Sequence, residues 1–480
     1  MSHSHSNTTD QSDATALPSE IWCWQATKIA EHIRRGDISA REAAQSCLDR
    51  IAATNGHINA ITHTLAESAL RDADAADAKR ARGESLGLLH GVPVTVKCNV
   101  DVVGQPTTHG VVAKRDLIAG IDSPVVSNLH RAGAVIVGRT NTPAFSLRWF
   151  TENDLHGRTL NPWRDDLTPG GSSGGASAAV AAGMCPIAHG NDLAGSVRYP
   201  AYACGVVGLR PTAGRIPSWT PTSGEARTYA AQMFAVQGPI ARTVADVRLS
   251  LAAMSADDHR DPNWVPAPLE GPDAPRRVAM VDEIEGLTLA PAVRDALHQA
   301  AKWLEAEGYT VERATPPDMR EGFDIWMAIA MTEIKDGFGE LVEQYGDDGV
   351  KRALAGMVDR PDATRDLSRY INGHARRDQM RRRWNALFAQ YPVVLMPTSL
   401  ELPFVYGDDQ RGPEAMAHIL AAQTPLKLVA ALNFPGLSVP TGLVNGVPVG
   451  VQLISRAFRE DLCLAAGEAI ERHARMPQPF

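Results

Sequence analysis

The sequence predicts an α/β fold with a mixed or parallel β-sheet, and three observations support this prediction. Helical stretches alternate with short β-branched runs, as in the succession Arg277 to Val281 (strand), Ala292 to Glu307 (helix) and Tyr309 to Val311 (strand). The chain has 480 residues, enough for about three domains or one unusually large one. Its 44% hydrophobic and 21% charged residues are typical of a packed globular protein.

Two helices open the predicted order of elements. Ala26 to Arg35 has helical character and is followed by a glycine, a frequent stop signal. Ser39 stands three residues before Glu42, and this capping box predicts the start of a second helix, from Ala40 to about Ala53. The dipeptide Asn55-Gly56 then predicts a turn.

A third helix and two buried strands follow. Leu65 to about Arg82 is rich in Ala, Asp, Lys and Arg, as expected of a helix that faces solvent. Gly91 to Val96 and Gly133 to Gly138 are rich in β-branched residues, which predicts two strands and places Lys97 at a strand end. The proline-rich segment Asp257 to Arg276 is predicted to be a loop.

Charge and composition exclude several classes of function. The chain has 47 basic and 55 acidic residues and a net charge of −8, so it lacks the positive surface that nucleic-acid binding requires. It has no run of about 18 apolar residues and no apolar export signal, so we expect neither membrane insertion nor secretion. The six cysteines form no CxxC pair, which favours reduced thiols in a cytoplasmic protein, and we expect no metal or cofactor.

The stretch from Thr168 to Pro211 carries the strongest chemical signal. It begins with the loop PGGSSGG, which leads into a helix predicted for Ala176 to Ala182. A strand-like Cys185 to Ala188 and a second glycine-containing turn, Gly190 to Ser196, come next. No lysine follows the loop as it would in a P-loop, so nucleotide binding is not indicated. The pattern instead predicts a pocket lined by backbone groups.

Three motifs in this order resemble those of the amidase signature family. They are GVPVTVK (Gly91 to Lys97), GGSSGG (Gly170 to Gly175) and the turn GSVR (Gly195 to Arg198). Flanking segments extend the resemblance from about residue 20 to 475, among them TNTPAF, TLNPW, CGVVGLRPT, QGPIART and PGLSVPTGLVNGVPVGVQL. In motif detail the chain is most similar to stand-alone bacterial amidases such as the nylon-oligomer hydrolases.

The resemblance implies a fold and a domain division. The fold is that of the amidase signature family, a mixed twisted β-sheet surrounded by α-helices in one large domain, residues 19–480. Residues 1–18, which are rich in Ser, His and Asp, are expected to form a disordered tail. Residues 319–416 match the family least, and we expect them to be a variable, mostly helical region that shapes the substrate pocket.

The resemblance also implies a set of site residues. Lys97 would be the base, Ser172 the bridging serine and Ser196 the nucleophile. The peptide N–H groups that would form the oxyanion hole are those of Leu193, Ala194, Gly195 and Ser196. The residues implied as structural support are Gly171, Asp192 and Arg198, with a cis peptide bond between Gly171 and Ser172.

This triad requires an uncharged Lys97. A serine hydroxyl is a poor nucleophile and needs a base within hydrogen-bond reach. Lowering the pKa of a lysine from about 10.4 to about 7.5 corresponds to ~4 kcal/mol, which burial beside hydroxyl groups can supply. We therefore expect the Lys97 side chain to be buried.

Several nearby residues admit other interpretations. Ala194 replaces a glycine of the family pattern. Its methyl group is tolerated there only if the residue has a negative φ. Cys98 replaces an aspartate after Lys97 and is expected to be a small buried side chain. His109 and His189 offer an alternative base in a Ser-His arrangement. Aromatic residues that could line an acyl pocket, none of which we single out, are Trp149, Phe150, Trp219, Phe234 and Trp326.

The sequence thus predicts an amidohydrolase that cleaves a carboxylic amide, of hydrophobic or aryl type, to acid plus ammonia or amine through an acyl-Ser196 intermediate. Alternatives on the same triad are the glutaminase subunit of a tRNA-dependent amidotransferase and a carbamate, ester or hydrazide hydrolase. Tyr199 stands where that subunit typically has glutamine, which favours the stand-alone hydrolase. A catalytically silent binding protein is the alternative from another class. The expected partners are a small-molecule amide and, in a homodimer, a second copy of the chain.

Overall fold

All eleven strands found in the described part of the chain join one mixed sheet. The structure is a computed structural model and describes residues 20–224, 226–358, 366–474 and 476–479, so the predicted tail, residues 1–18, lies outside it. The strands are β1 (Ile61–Thr64), β2 (Pro93–Lys97), β3 (Val135–Thr140), β4 (Ile187–Asp192), β5 (Val207–Arg210), β6 (Val236–Ala241), β7 (Arg277–Met280), β8 (Thr310–Arg313), β9 (Val393–Pro397), β10 (Gly436–Val444) and β11 (Val447–Ser455). Their order across the sheet is β1-β3-β2-β4-β6-β5-β10-β11-β9-β7-β8.

Helices surround this sheet. They are α1 (Ala26–Arg35), α2 (Ala40–Ile58), α3 (Ala66–Ala81), α4 (Pro124–Arg131), α5 (Gly174–Ala181), α6 (Arg198–Cys204), α7 (Tyr229–Met233), α8 (Val244–Met254), α9 (Pro291–Ala306), α10 (Met319–Trp326), α11 (Thr332–Tyr345), α12 (Asp348–Val358), α13 (Leu367–Gln390), α14 (Pro413–Ala422), α15 (Thr424–Leu432) and α16 (Glu460–Glu471). Because helices cover the sheet, strands β2, β3, β6, β9 and β11 are buried along their whole length. The predicted α/β class is therefore confirmed.

The direction of two neighbouring strands positions the candidate site. β2 pairs in parallel with β4, with Val96 opposite His189. The carboxyl ends of parallel strands meet at the same edge of a sheet. The last residue of β2, Lys97, therefore lies near the last residues of β4 and the turn that follows them.

The first helices follow the sequence prediction, except at one end. Ser39 and Glu42 form the predicted capping box at the start of α2. The helix continues to Ile58, however, so the turn predicted at Asn55-Gly56 is wrong. The Asn55 side-chain oxygen accepts hydrogen bonds from the amides of Ala60 (2.9 Å) and Ile61 (2.8 Å). Asn55 is therefore a helical residue whose side chain fixes the backbone of the segment that follows the helix.

The strand that leads to the predicted Gly190 to Ser196 turn is also longer than expected. β4 extends to Asp192, because Gly190 and Asp192 pair with Gly238 and Val236 of the antiparallel neighbour β6. The turn therefore occupies the residues between β4 and α6. The other predicted strands and helices before residue 315 are confirmed, with ends that differ by a few residues.

One pair of helices has the length and composition of a membrane span. Among the described residues no single helix is long and apolar enough to cross a membrane, whereas the bent pair α14 and α15 meets the criteria when taken together.

A buried ion pair ties the chain after β5 to the start of α16. Arg215 Nη2 lies 2.8 Å from Glu460 Oε2, and both side chains are 1% exposed. We expect Arg215→Met to lower the free energy of unfolding by about 3–5 kcal/mol, because it leaves the Glu460 carboxylate buried without its partner. Chemical denaturation measures the loss.

The exposed ion pair between Arg382 and Asp378 supplies the control. These side chains are 77% and 61% exposed. Arg382→Met is therefore expected to cost less than about 1 kcal/mol. Equal losses for Arg215→Met and Arg382→Met would contradict the importance given to burial.

Candidate active site

Lys97 is fully buried at the end of β2 and is surrounded by neutral oxygen atoms. Its Nζ lies 2.7 Å from Ser172 Oγ, 3.1 Å from Ser173 Oγ and 2.8 Å from Asn191 Oδ1. The side chain is 0% exposed. Burial lowers the pKa of Lys97 to about 7, against weaker opposing effects of Cys98 and Asp192. A substantial fraction of this amine is therefore uncharged at neutral pH.

The glycine-rich loop brings Ser172 to this amine. The peptide bond between Gly171 and Ser172 is cis, as the family resemblance implies. A side chain at Gly171 would collide with the backbone of Arg148 and Phe150, and one at Gly175 would collide with the backbone of Asn141. Glycine is required at these positions because other backbone segments approach the loop closely.

Asp192 organises the turn that carries Ser196. Its carboxylate accepts hydrogen bonds from the amides of Gly195 (2.8 Å) and Val197 (3.2 Å) and from the Arg198 guanidinium (3.0 Å). Arg210 forms a second buried ion pair with it. Although burial alone would raise the pKa of Asp192, the charges of Arg198 and Arg210 hold it well below its usual range. Asp192 and Arg198 therefore connect the two ends of the turn through a buried network of hydrogen bonds.

Ser196 lies beside the glycine-rich loop. The amide of Ser173 donates to the Ser196 carbonyl oxygen at 3.2 Å, which joins the loop to the turn. Ser196 is 8% exposed. The structure thus brings Lys97, Ser172 and Ser196 to one edge of the sheet, although they are far apart in sequence.

The four amides predicted for an oxyanion hole are not equivalent. The Gly195 amide donates to Asp192, so it is directed into the turn rather than left for a ligand. The amides of Leu193, Ala194 and Ser196 are therefore the better candidates. Gly195 has a positive φ of 104°, whereas Ala194 does not have a positive φ. The methyl group at position 194 thus meets the condition of negative φ.

A narrow cavity borders the turn, and its walls are largely apolar. Two of the five candidate aromatic residues, Trp149 and Trp326, line it; the cavity lining does not include the other three. The remaining lining residues are Ser146, Leu147, Arg148, Leu193, Ala194, Ser196, Met331, Ile334, Leu354 and Met357. Such a surface suits an apolar acyl group next to Ser196.

The alternative bases and the neighbouring thiol are unsuited to activate Ser196. Burial lowers the pKa of His109 to about 3 and that of His189 to about 4. His189 Nε2 is paired with Gln237 Oε1 at 2.8 Å. Cys98 is 0% exposed, and burial raises the pKa of its thiol. It is the small buried side chain that the sequence predicts.

Sequence reasoning missed the role of Asn191. The Asn191 side chain accepts from Lys97 and donates from Nδ2 to Asn99 Oδ1 at 2.9 Å. Asn99 in turn donates to Ser146 Oγ at 3.0 Å, and Ser146 lines the cavity. The available signal was the sequence Gly190-Asn-Asp, which has asparagine where the family pattern has threonine.

No cluster within the described ranges brings together three or more His, Cys, Asp or Glu side chains in a way that could hold a metal ion.

Known proteins resemble the chain over most of its length. Its residues 42–464 match the Amidase family. Indoleacetamide hydrolase of Bradyrhizobium diazoefficiens is 44% identical over 459 residues, which cover 95% of this chain and 87% of that protein. A glutamyl-tRNA(Gln) amidotransferase subunit of Moorella thermoacetica is 33% identical over 496 residues, which cover 96% of this chain and 99% of that protein.

A solved structure supports the same assignment. The structure of 6-aminohexanoate cyclic dimer hydrolase complexed with substrate has a TM-score of 0.81 and 27% identity, and it covers 96% of this chain and 99% of that chain. The family that the motifs predict is thus confirmed. The chain belongs to the amidase signature family of amide-cleaving hydrolases.

Proposed function

We propose that this hydrolase cleaves aryl-alkyl amides, with indoleacetamide as the type of substrate, through an acyl-Ser196 intermediate. The observation that carries the proposal is the buried amine of Lys97, which lies 2.7 Å from Ser172 Oγ and whose hydrogen-bond partners in the described ranges are all neutral. A base of this kind can accept a proton near neutral pH. The apolar side chains that border Ser196 favour an aryl group over a charged group as the acyl part of the substrate.

The first step is acylation of Ser196. Neutral Lys97 accepts the proton of Ser172 while Ser172 accepts the proton of Ser196, and the Ser196 oxygen forms a bond to the amide carbon. The carbonyl π electrons move to oxygen. The amides of Leu193, Ala194 and Ser196 donate to this oxyanion, and each donor of this kind contributes about 3 kcal/mol to the stability of the transition state.

The intermediate then collapses to the acyl-enzyme. Ser172 gives a proton to the leaving nitrogen and recovers one from the Lys97 ammonium group, and the C–N bond breaks to release ammonia or amine. Water attacks the ester of Ser196 by the same relay in reverse, which releases the acid and restores the Ser196 hydroxyl.

The choice of substrate rests on the cavity walls and on the relatives. Trp149, Trp326 and Met331 offer flat aromatic and polarisable surfaces to an aryl group. A 44% identical relative that spans most of the chain is named indoleacetamide hydrolase. The contribution of region 319–416 to the cavity supports the proposal that this region sets specificity. Five lining residues come from it: Trp326, Met331, Ile334, Leu354 and Met357.

The glutaminase alternative is less well supported. Glutamine would place a polar α-amino and carboxylate group in the cavity, and the one ionised side chain of the described cavity lining, Arg148, is already paired with Asp409 at 2.7 and 3.0 Å. Tyr199, in the position that distinguishes the glutaminase subunits, is buried, and its hydroxyl oxygen accepts a hydrogen bond from the amide of Phe404 at 3.2 Å. Carbamates, esters and hydrazides stay open as substrates because they pass through the same serine adduct.

Location and assembly complete the proposal. The six cysteines are free thiols, which supports a reducing, cytoplasmic location. The homodimer stays a prediction of the family resemblance, to be checked by the mass of the protein in solution.

The protonation of Lys97 sets the first prediction for activity. Because only the neutral amine can act as base and its pKa is about 7, kcat/KM should rise with pH through about 7 and level off above it. Lys97→Ala should lower kcat by about 100- to 10,000-fold while the variant still unfolds cooperatively. Rates measured from pH 5 to 9 check both points. A Lys97→Ala variant with retained turnover would assign the base to a histidine.

Asn191 supplies a second prediction. Asn191→Asp puts a carboxylate 2.8 Å from the Lys97 amine, and this charge should stabilise the ammonium form. The acidic limb of the kcat/KM profile should move to higher pH by about 1–3 units. Asn99→Asp, one hydrogen bond further from the amine, is the graded control and should give a smaller shift. An unmoved limb in Asn191→Asp would contradict the assignment of Lys97 as the titrating base.

The function itself is tested with substrates and a label. Indoleacetamide should be hydrolysed at least about tenfold more efficiently than glutamine, as judged by ammonia release and kcat/KM. A fluorophosphonate should add to Ser196, seen by mass spectrometry of peptides, and Ser196→Ala should abolish both labelling and turnover. Preferential glutamine hydrolysis would favour the glutaminase of an amidotransferase, and an unlabelled Ser196 would favour a silent binding protein.

A further inference from the structure

We propose that Trp326 is a positioning residue for the oxyanion hole, because its indole N–H fixes and polarises the peptide whose amide belongs to Ala194. The inference rests on the proposed acyl-Ser196 mechanism and extends it to a side chain that does not take part in proton transfer. Trp326 is the last residue of α10, far in sequence from the turn that it contacts.

Two tryptophans donate to consecutive carbonyls of the turn. Trp326 Nε1 lies 3.1 Å from the Leu193 carbonyl oxygen, and Trp149 Nε1 lies 3.2 Å from the Ala194 carbonyl oxygen. The two indoles are buried, with 3% and 6% exposure. Within the turn, the next carbonyl, that of Gly195, accepts from the amide of Tyr199 at 2.7 Å. Three successive peptide planes of the turn are therefore held by hydrogen bonds to their oxygens.

Peptide geometry converts this contact into an orientation of donors. In a trans peptide the C=O and N–H groups point in opposite directions. The Leu193 carbonyl and the Ala194 amide belong to the same peptide. Because the carbonyl points at Trp326, the Ala194 N–H points away from it, and Ala194 borders the cavity together with Ser196.

The same contact strengthens the donor. A hydrogen bond to a carbonyl oxygen polarises the peptide, so that its N–H carries more positive charge. The effect is larger in a buried site, where solvent does not screen it. Trp326 thereby increases the charge that the Ala194 amide offers to the developing oxyanion.

Trp149 makes the corresponding contact with a different outcome. The peptide that it holds carries the amide of Gly195, which already donates to Asp192 at 2.8 Å. Both indoles line the same cavity and both donate to the same turn. Of the two, however, Trp326 is the one that acts on an amide left for the substrate oxygen.

The surroundings of Trp326 hold the indole in place. A π-helical segment, Met327–Met331, follows it directly, and such segments often occur at functional sites. Helix α10 packs against α15, where Gly322 lies against Leu428, and Leu426 of α15 also lies against Gly195 of the turn. The helix that carries the indole and the turn that receives its hydrogen bond therefore rest on the same neighbour.

The test removes the N–H while the ring is kept. Replacing Trp326 with benzothienylalanine, in which sulfur takes the place of the indole N–H, should lower kcat about tenfold with KM within about twofold of wild type. Trp326→Phe should lower kcat to a similar extent and also raise KM, because the ring is smaller. In the trifluoromethyl ketone analogue of the substrate, the carbonyl carbon accepts the Ser196 oxygen, and the ketone oxygen becomes the oxyanion of a hemiketal. This analogue should bind about tenfold more weakly to the benzothienyl variant. Binding of ethylindole, which has no carbonyl, should not change.

Two further variants separate a positioning role from a structural one. Trp149→Phe should raise KM with a smaller loss of kcat than Trp326→Phe, because the Gly195 amide is not offered to substrate. Trp163→Phe removes an indole donor to the Cys204 carbonyl away from the cavity and should leave kcat and KM unchanged. Thermal unfolding and circular dichroism confirm that each variant is folded.

The outcomes distinguish this inference from the proposed function. If Ser196 is labelled in the wild type but the benzothienyl variant keeps its kcat and its affinity for the trifluoromethyl ketone, the positioning role is wrong and the mechanism stands. If Ser196 is not labelled in the wild type, the mechanism and the inference both fail. A loss of affinity for ethylindole equal to that for the ketone would also overturn the inference, since it would show a general defect of the cavity.

Discussion

The site depends on keeping the amine of Lys97 away from both water and negative charge. The change in its pKa from 10.5 to about 7 corresponds to roughly 5 kcal/mol against the ammonium form. A carboxylate in contact would cancel this effect, yet the three groups that touch the amine are the oxygens of Ser172, Ser173 and Asn191. Cys98, in the place of the aspartate of the family pattern, keeps the adjacent position neutral as well. Neutral partners therefore hold the lysine in position without restoring its charge.

The carboxylate of Asp192 brings negative charge close to the site, where it has a structural task. Arg198 and Arg210 neutralise this carboxylate, and Arg198 also donates to the Gln452 side chain and the Leu426 carbonyl. The turn is thus tied at once to the sheet and to α15. Because two guanidinium groups neutralise Asp192, its charge opposes the effect of burial on the pKa of Lys97 only weakly.

Much of the fold and of the site could be predicted from the sequence because both rest on local patterns. β-branched runs predicted the strands, and a capping box predicted the helix start at Ala40. The roles proposed for Lys97, Ser172 and Ser196 came instead from the resemblance of three motifs to those of a known family. The end of α2 could not be predicted, since the Asn55 side chain bonds to residues beyond the helix. The contacts of Asn191 and Trp326 depend on tertiary packing. The asparagine in place of the family's threonine marks position 191 but does not indicate which groups its side chain contacts. The hydrogen bond from the Gly195 amide to the Asp192 carboxylate likewise depends on the folded turn, so the sequence did not indicate it.

The parallel pairing of β2 with β4 has a consequence for how the length of this segment can vary. Side chains along a strand alternate between the two faces of a sheet, so moving β2 by one residue relative to β4 would turn the amine of Lys97 to the opposite face. We therefore expect a single-codon insertion or deletion inside β2 to separate the amine from Ser172 while the sheet persists, and changes in length to be tolerated in the loops on either side of the strand.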